Sequence, residues 1–261
     1  MDLGLAGRRC IVTGASRGIG RAVAHGLAAE GARVLFVGRT EAALRDAARD
    51  VPAAEFLVAD VTEPDAGARI VAAAVERFGG IDVLVNNAGT SRATPIDQLT
   101  DADWDEQWQL NVRGPERLMG AAAPLMAAAG WGRIVNVASS SGKRPSGRNA
   151  AYSVTKSAQL ALSRAYADAY AARGVLVNAV APGPVGTGLW LDPGGILDQE
   201  AAAKGIDREA ALAAAGARVP RGKLGEPAEI ADAVVFLCSE RAANVVGAAW
   251  SVDGGAVPSF I

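Results

Sequence analysis

The chain has one histidine, His25, and two cysteines, Cys10 and Cys238, among its 261 residues. That scarcity excludes several kinds of chemistry. A zinc or iron site built on His and Cys needs a group of such ligands at close spacing, so no metal is expected. Cys10 precedes IVTG and Cys238 follows VVFL. Both lie in apolar runs, which predicts two buried free thiols in a reducing compartment rather than a disulfide framework. His25 stands among small residues of a predicted helix and reads as a helix-face residue, not a catalyst. An excess of one charge is also missing. The formal net charge is −2, so no global basic field invites nucleic acid. No run approaches the roughly 18 uninterrupted apolar residues of a membrane span. The opening MDLGLAGRRCIVTG meets Arg8 and Arg9 too soon for a secretory signal. The expected location is therefore the cytoplasm, with neither nucleic acid nor membrane as partner.

What the chain does have is alternation. Short β-rich apolar runs recur at Cys10–Thr13, Arg33–Val37, Glu55–Ala59, Val83–Asn86, Arg133–Val137, Val175–Val180 and Ala249–Val252. Ala-rich amphipathic stretches separate most of them: Ile19–Glu30, Glu41–Arg49, Pro64–Phe78, Asp103–Ala128, Ala151–Arg173 and Pro227–Ser239. Strand–helix–strand repetition implies parallel pairing through right-handed crossovers. The expected fold is α/β, a single-domain, Rossmann-type doubly wound parallel sheet of about seven strands with helices on both faces. No linker or charge block divides residues 1–261. One segment breaks the rhythm. Gly188–Pro220 has no strand pattern and one short helix candidate, Arg208–Ala217, yet carries Leu189, Trp190, Leu191, Ile196 and Leu197. It reads as a lid insertion.

After the first predicted strand comes TGASRGIG, Thr13 to Gly20. Gly14, Gly18 and Gly20 follow a strand and open a helix. Glycine there lets phosphate approach the backbone, and the helix N-terminus offers free N–H groups and a positive dipole end to a pyrophosphate. Ser16, Arg17 and Ile19 complete the predicted cradle. The end of the second strand is the next test, because an acid there would hold the ribose 2′-hydroxyl of NAD. This chain has Gly38 and Arg39 instead, with Glu41 the nearest acid. Arg39, joined by Arg17, suits a 2′-phosphate, since guanidinium presents a planar fork of donors. NADP(H) is expected in preference to NAD(H).

Residues 150–156 read AAYSVTK. Tyr152 and Lys156 stand at i and i+4, on one side of a helix. An ammonium some ~4 Å from a phenol, at an effective dielectric of ~20, stabilises the phenolate by up to ~4 kcal/mol, and burial opposes part of that. The net pull is expected to move Tyr152 toward the range of a general acid or base. The small neighbours Ala150, Ala151 and Ser153 leave room for ligands.

TGASRGIG, then NNAG at 86–89, then Ser139 thirteen residues before Tyr152 of YSVTK, together resemble the short-chain dehydrogenase/reductase family. The likeness runs from the first strand to VDGG at 252–255. It implies Tyr152 as general acid/base, Lys156 as its partner and a ligand of the nicotinamide ribose, and Ser139 as the hydroxyl that holds the substrate oxygen. Ser140 and Ser141 compete for that place, but the family spacing points to Ser139. Asn111, in QLNVRG, matches the fourth catalytic position, which orders a water between Lys156 and solvent. By the same likeness Asp60 and Val61 lie near the adenine. Asn87, Ala88 and Gly89 lie near the adenosine ribose, with Asn86 as a structural clamp. Pro182, Gly183, Val185 and Thr187 hold the nicotinamide end.

The implied reaction is reversible hydride transfer between a nicotinamide dinucleotide and a carbonyl or alcohol substrate. The pattern, including RGKLGEPAEIA at 221–231, is similar to 3-oxoacyl-(acyl-carrier-protein) reductases. Two features pull away from that assignment: the long lid, and the stretch Met126–Trp131, which lacks basic residues for an acidic carrier. A dehydrogenase of a cyclic or aliphatic secondary alcohol stays open, as does a regulator that binds NADP(H) without turnover. Ser141, Trp190 and Leu191 are the candidate substrate contacts. Lys143, Arg144 and Arg148 are candidates to meet an anionic tail. A homotetramer or homodimer is expected, through the two long predicted helices and the apolar ending AVPSFI at 256–261.

Overall fold

The computed structural model describes residues 1–91 and 94–258, so the last three residues of the apolar ending, 259–261, lie outside the described residues. The first half of the chain runs β1 (Arg9–Thr13), α1 (Gly18–Ala29), β2 (Arg33–Gly38), α2 (Glu41–Ala48), β3 (Glu55–Val58), α3 (Ala66–Phe78), β4 (Val83–Asn86), α4 (Asp101–Trp108) and α5 (Gly114–Ala128). It continues with β5 (Gly132–Val137), α6 (Ser140–Lys143), α7 (Ala150–Tyr170), β6 (Val175–Pro182), α8 (Gly188–Leu191), α9 (Ile196–Lys204), α10 (Arg208–Ala217), α11 (Pro227–Cys238) and β7 (Ala249–Val252). The strands form one seven-stranded sheet in the order β3-β2-β1-β4-β5-β6-β7. Every pairing in it is parallel.

Alternation within each strand sorts side chains to the two faces of the sheet. Cys10, Val12, Val34, Phe36, Val83 and Val85 enter one core, under α1, α2 and α11. Ile11, Leu35, Val37, Leu84 and Ile134 enter the other, with the apolar faces of α3 and α5. Every residue of β5 and β6 is buried. This is why those strands read as continuous apolar runs: helices cover both faces of a parallel sheet. Each fully buried Leu, Ile or Phe among them contributes roughly 1.5–3 kcal/mol. Cys10 and Cys238 are buried free thiols. Burial pushes the Cys238 thiol up to about 12. His25 is likewise structural, its Nε2 2.8 Å from the Ala47 carbonyl oxygen.

Strand order reverses between β1 and β4. At such a switch point the loops leaving the two strands part and open a crevice at their carboxyl ends.

The predicted helix Asp103–Ala128 is modified in one instructive way. It begins two residues earlier, at Asp101, where Thr100 and Asp103 form a capping box. It then passes through a π turn, Gln109–Arg113, before α5. Pro115 has no N–H for the Asn111 carbonyl, so the ordinary i→i−4 ladder cannot continue there. The Gly114 N–H reaches back to the Gln109 oxygen instead. Asn111 sits inside this widened turn.

Candidate active site

The glycine turn lies in the crevice between β1 and β4. Gly14 has φ +65°, and a Cβ on Gly20 would stand 2.3 Å from the Gly14 carbonyl oxygen. Only glycine permits this conformation and this closeness. Arg17 is the N-cap of α1; no side chain caps the helix and no acid stands in its first turn. The leading N–H groups thus remain for an anion. Across the crevice, β6 ends at Pro182, and Val185 bridges to Gly225. Thr187, the N-cap of α8, lies so near α1 that a Cβ on Gly18 would be 3.3 Å from its methyl group. The loop from Gly183 to Thr187 therefore closes one side of the cradle.

The structure gives several predicted cofactor residues structural duties as well. Asn87 donates from Nδ2 to the Thr13 oxygen at 2.9 Å and the Gly14 oxygen at 3.3 Å, pinning the glycine turn. It is thus a clamp like its neighbour Asn86, whose Nδ2 donates to Asn136 Oδ1 at 2.8 Å. Val61 and Val185 bury their side chains in the two cores. Asp60 accepts hydrogen bonds from the Thr62 N–H and hydroxyl, at 2.9 and 2.7 Å. Arg39, mostly exposed, stands 3.9 Å from the Asp60 carboxylate, and Arg17 pairs with Asp192 at 3.4 Å. Glu41, the nearest acid to the end of β2, is engaged by Arg45 at 2.7 Å. An uncapped helix N-terminus, a glycine cradle and two exposed arginines fit a nicotinamide dinucleotide.

The four residues matched to catalysis converge at the carboxyl ends of β4 and β5. Ser139 follows β5 and caps α6, its Oγ accepting from the Ser141 N–H at 3.0 Å. The Ser139 side chain is also a hydrogen-bond partner of the Tyr152 phenol. Lys156 is buried; its Nζ donates to the Val137 oxygen at 2.9 Å and to Gln159 Oε1 at 3.0 Å. Asn111 is fully buried; its Nδ2 donates to Gln107 Oε1 at 2.9 Å and Thr155 Oγ1 at 3.1 Å. Its Oδ1 is buried and has no partner among the described residues. A Cβ on Gly89 would lie 3.4 Å from that oxygen and 3.6 Å from Lys156 Nζ. Gly89 thus leaves open the space between them.

The electrostatics differ from the expectation that Lys156 draws the phenol down. Burial raises the Tyr152 phenol, and the Ser139 hydrogen bond only partly offsets this. The ammonium lies 5.7 Å from the ring centroid, turned to Val137 and Gln159. Burial in turn lowers Lys156 to about 7. The pair therefore presents a protonated phenol beside a lysine poised near neutrality, the state of a proton donor with its reservoir.

Beside Tyr152 lies a small recess of about 20 Å³. Thr94, Asp103, Glu106, Gln107 and Asn149 supply polar walls, Leu99 and Ala151 apolar ones. The candidate substrate residues Ser141, Trp190 and Leu191 do not line it. Ser141 gives its backbone N–H to Ser139 Oγ; Leu191 ends α8, partly exposed, in a lid that has its own small core of Leu197, Ala201 and Ala211. Lys143 Nζ donates to the Ala249 oxygen at 2.6 Å and to Ser251 Oγ at 2.9 Å, which ties it to β7. The stretch Met126–Trp131 is exposed at Ala128, Ala129 and Gly130 and anchored at both ends. Met126 is fully buried, and Arg8 and Arg133 lie over the Trp131 ring at 3.7 and 4.4 Å.

Sequence reasoning passed over Gln107, Thr155, Gln159 and Asp192. Gln159 carried a signal, a polar residue one turn past Lys156 on a face otherwise small and apolar. The others find their partners only through packing.

Comparison with known proteins agrees with this geometry. The profile of the enoyl-(acyl carrier protein) reductase family matches residues 14–257. A sorbitol dehydrogenase of Cereibacter sphaeroides is 36% identical, with 96% of this chain and 98% of that protein covered. A 3-oxoacyl-[acyl-carrier-protein] reductase of Vibrio cholerae is also 36% identical, over 97% and 98%. Among solved structures, the L-sorbose reductase of Gluconobacter frateurii, complexed with NADPH and L-sorbose, superposes with a TM-score of 0.93. It is 34% identical, with both chains fully covered.

Proposed function

Because this chain belongs to the short-chain dehydrogenase/reductase family and is an NAD(P)-dependent enzyme of carbonyl and alcohol substrates, we propose that it reduces a small, polar, hydroxylated ketone to the secondary alcohol with NADPH. The observation that carries the chemistry is the convergence of Ser139, Tyr152, Lys156 and Asn111. A bound nicotinamide dinucleotide supplies or accepts the hydride. Its pyrophosphate would be held by the glycine turn and the N-terminus of α1, its 2′-phosphate by Arg39 and Arg17, and its nicotinamide end by the loop from Pro182 to Thr187. Ser139 fixes the substrate oxygen and shares its developing charge. Tyr152 gives that oxygen its proton, and Lys156 steadies the phenolate that remains. Asn111, through its unpartnered Oδ1, is suited to hold a water that returns a proton through Lys156.

The preference for a polar substrate rests on the walls of the recess beside Tyr152. Asp103, Glu106, Gln107 and Asn149 make its lining largely polar. The relatives that act on sorbitol and L-sorbose support the same reading. The second reading is a 3-oxoacyl-thioester reductase, favoured by the Vibrio cholerae relative and by the family profile. Loss of NADPH absorbance with a ketose, a short 3-oxoacyl thioester and an alicyclic ketone, repeated with NADH, separates them. Turnover of the thioester alone overturns the polar-substrate reading. The apolar side chains of Trp108, Leu125 and Val154, each more than two-fifths exposed on α4, α5 and α7, support assembly into a homodimer or homotetramer. The buried free thiols support a reducing, cytoplasmic setting.

A further inference from the structure

Gln159 is a buried amide, 1% exposed, one turn beyond Lys156 on α7. An amide in such a place is costly unless it is bonded, and an apolar side chain would fill the same space without that cost. Its Oε1 accepts from Lys156 Nζ at 3.0 Å. The second acceptor on that ammonium is the Val137 carbonyl, at 2.9 Å, at the end of β5. Both are neutral oxygens. Among the described residues no carboxylate pairs with this lysine, and burial is the cause of its lowered value.

Gln159 is itself held firmly. Its main-chain oxygen accepts from Ser163 Oγ at 2.7 Å, Ser163 Oγ accepts from Asn136 Nδ2 at 2.8 Å, and Asn136 Oδ1 accepts from Asn86 Nδ2 at 2.8 Å. A chain of buried hydrogen bonds thus runs from β4 through β5 to the turn of α7 that carries Gln159. The backbone of that turn is anchored to the sheet, and the ammonium to the Gln159 side chain it carries.

We propose that Gln159 is a positioning residue for Lys156: with the Val137 carbonyl, it anchors the buried ammonium and favours its charged form beside Tyr152. This assignment rests on the hydride-transfer reading above. Oxygen acceptors favour the charged form of a lysine that burial disfavours. Two of the three N–H groups are occupied, which leaves one for a ligand. The other groups facing this site do not compete. Tyr152, on the same helix, is protonated. Ser139, Asn111 and Gly89 are neutral. Lys143 of α6 is bound to Ala249 and Ser251. Asp103 and Glu106 of α4 line the recess beyond Tyr152, and Glu116 of α5 pairs with Arg113.

The test reads the lysine directly. The chain has four lysines, Lys143, Lys156, Lys204 and Lys223, so 13Cε-lysine labelling gives four signals, with that of Lys156 assigned by its loss in Lys156→Met. In Gln159→Met the Lys156 midpoint is expected to fall by about one pH unit, a tenfold change in the protonation constant. In Gln159→Glu it is expected to rise by at least as much, because the new carboxylate adds charge to the acceptor. The alkaline fall in kcat should move in the same two directions, with little change in KM for the ketone. In the unaltered protein the Gln159 side-chain 15N signal should titrate with the Lys156 midpoint, which keeps the test open if either variant fails to fold. Equal midpoints in the folded proteins, shifts of one sign in both variants, or a Gln159 signal indifferent to Lys156 overturn the proposal. Shifts in opposite directions without turnover in any form support the Gln159–Lys156 link and count against the hydride-transfer reading instead.

Discussion

Arg17 of the glycine turn and Asp192 of the lid face one another across the cofactor crevice, Nη1 to Oδ2, at 3.4 Å. Both side chains are more than half exposed, so the pair itself contributes at most about 1 kcal/mol. Its interest is competition, because the arginine expected to receive a 2′-phosphate already has a carboxylate partner. Asp192→Asn should free Arg17 and lower KM for NADPH by up to about fivefold, with KM for NADH unchanged. Steady-state kinetics with both cofactors check this. An equal change for both would show that Asp192 acts on the lid and not on the phosphate.

Arg39 is the second arm of the phosphate reading. Its distance from Asp60, 3.9 Å, is that of a loose ion pair at an exposed site. Arg39→Ala should raise KM for NADPH by roughly 10- to 100-fold, the value of a hydrogen bond to a charged group, and leave KM for NADH nearly untouched. If the NADPH:NADH preference stays the same, the 2′-phosphate does not sit at Arg39.

Tyr152→Phe removes the proton donor but keeps the ring. A loss of about 10²- to 10⁴-fold in kcat is expected, with cofactor binding intact by fluorescence titration. Near-full turnover would place the acid elsewhere.

The pH dependence of activity follows from Lys156. Its value, about 7, is below that of an ordinary lysine. The charged form therefore prevails below neutrality and is lost as pH rises through this value. In the reductive direction kcat should decline on the alkaline side with a midpoint near it. A profile that stays flat well above neutrality would remove the charged lysine from the mechanism.

Stability at low pH depends on another pair. Burial alone would raise the Asp82 carboxyl, but hydrogen bonds from the Arg9 side chain and backbone N–H outweigh it and hold the carboxyl below its ordinary range. The side-chain bonds are 2.7 Å each. The folded value is lower than the unfolded one, so this stabilisation is fully present above about pH 4 and fades as pH falls through the folded value. Asp82→Asn should cost about 2 kcal/mol at neutral pH and flatten the acid limb of a denaturation curve. Urea melts at neutral and acid pH measure both effects.

Much of this architecture was legible in the amino-acid order. All seven strands lie where apolar runs predicted them; the inner ones are buried on both faces and need β-branched and aliphatic residues throughout, while the edge strands β3 and β7 are only partly buried. The π turn at Gln109–Arg113 was not read, although Pro115 signalled a missing N–H. Within a long Ala-rich pattern, helical periodicity continues on either side of the irregular turn and masks it. The positions of Ser139, Tyr152 and Lys156 were legible from spacing, since a strand end and a helical repeat place them locally.

By itself, then, the sequence determined the doubly wound topology, the glycine turn at its switch point and the face of α7 that carries Tyr152 and Lys156. These depend on short-range periodicity and on backbone conformations that few residues permit. Only the tertiary structure decided which partners the charges take: Arg17 with Asp192, Lys143 with Ala249 and Ser251, Lys156 with Val137 and Gln159. It also decided that burial would raise Tyr152 and lower Lys156. Desolvation and long-range pairing arise from segments brought together across the fold, and local spacing carries no measure of either.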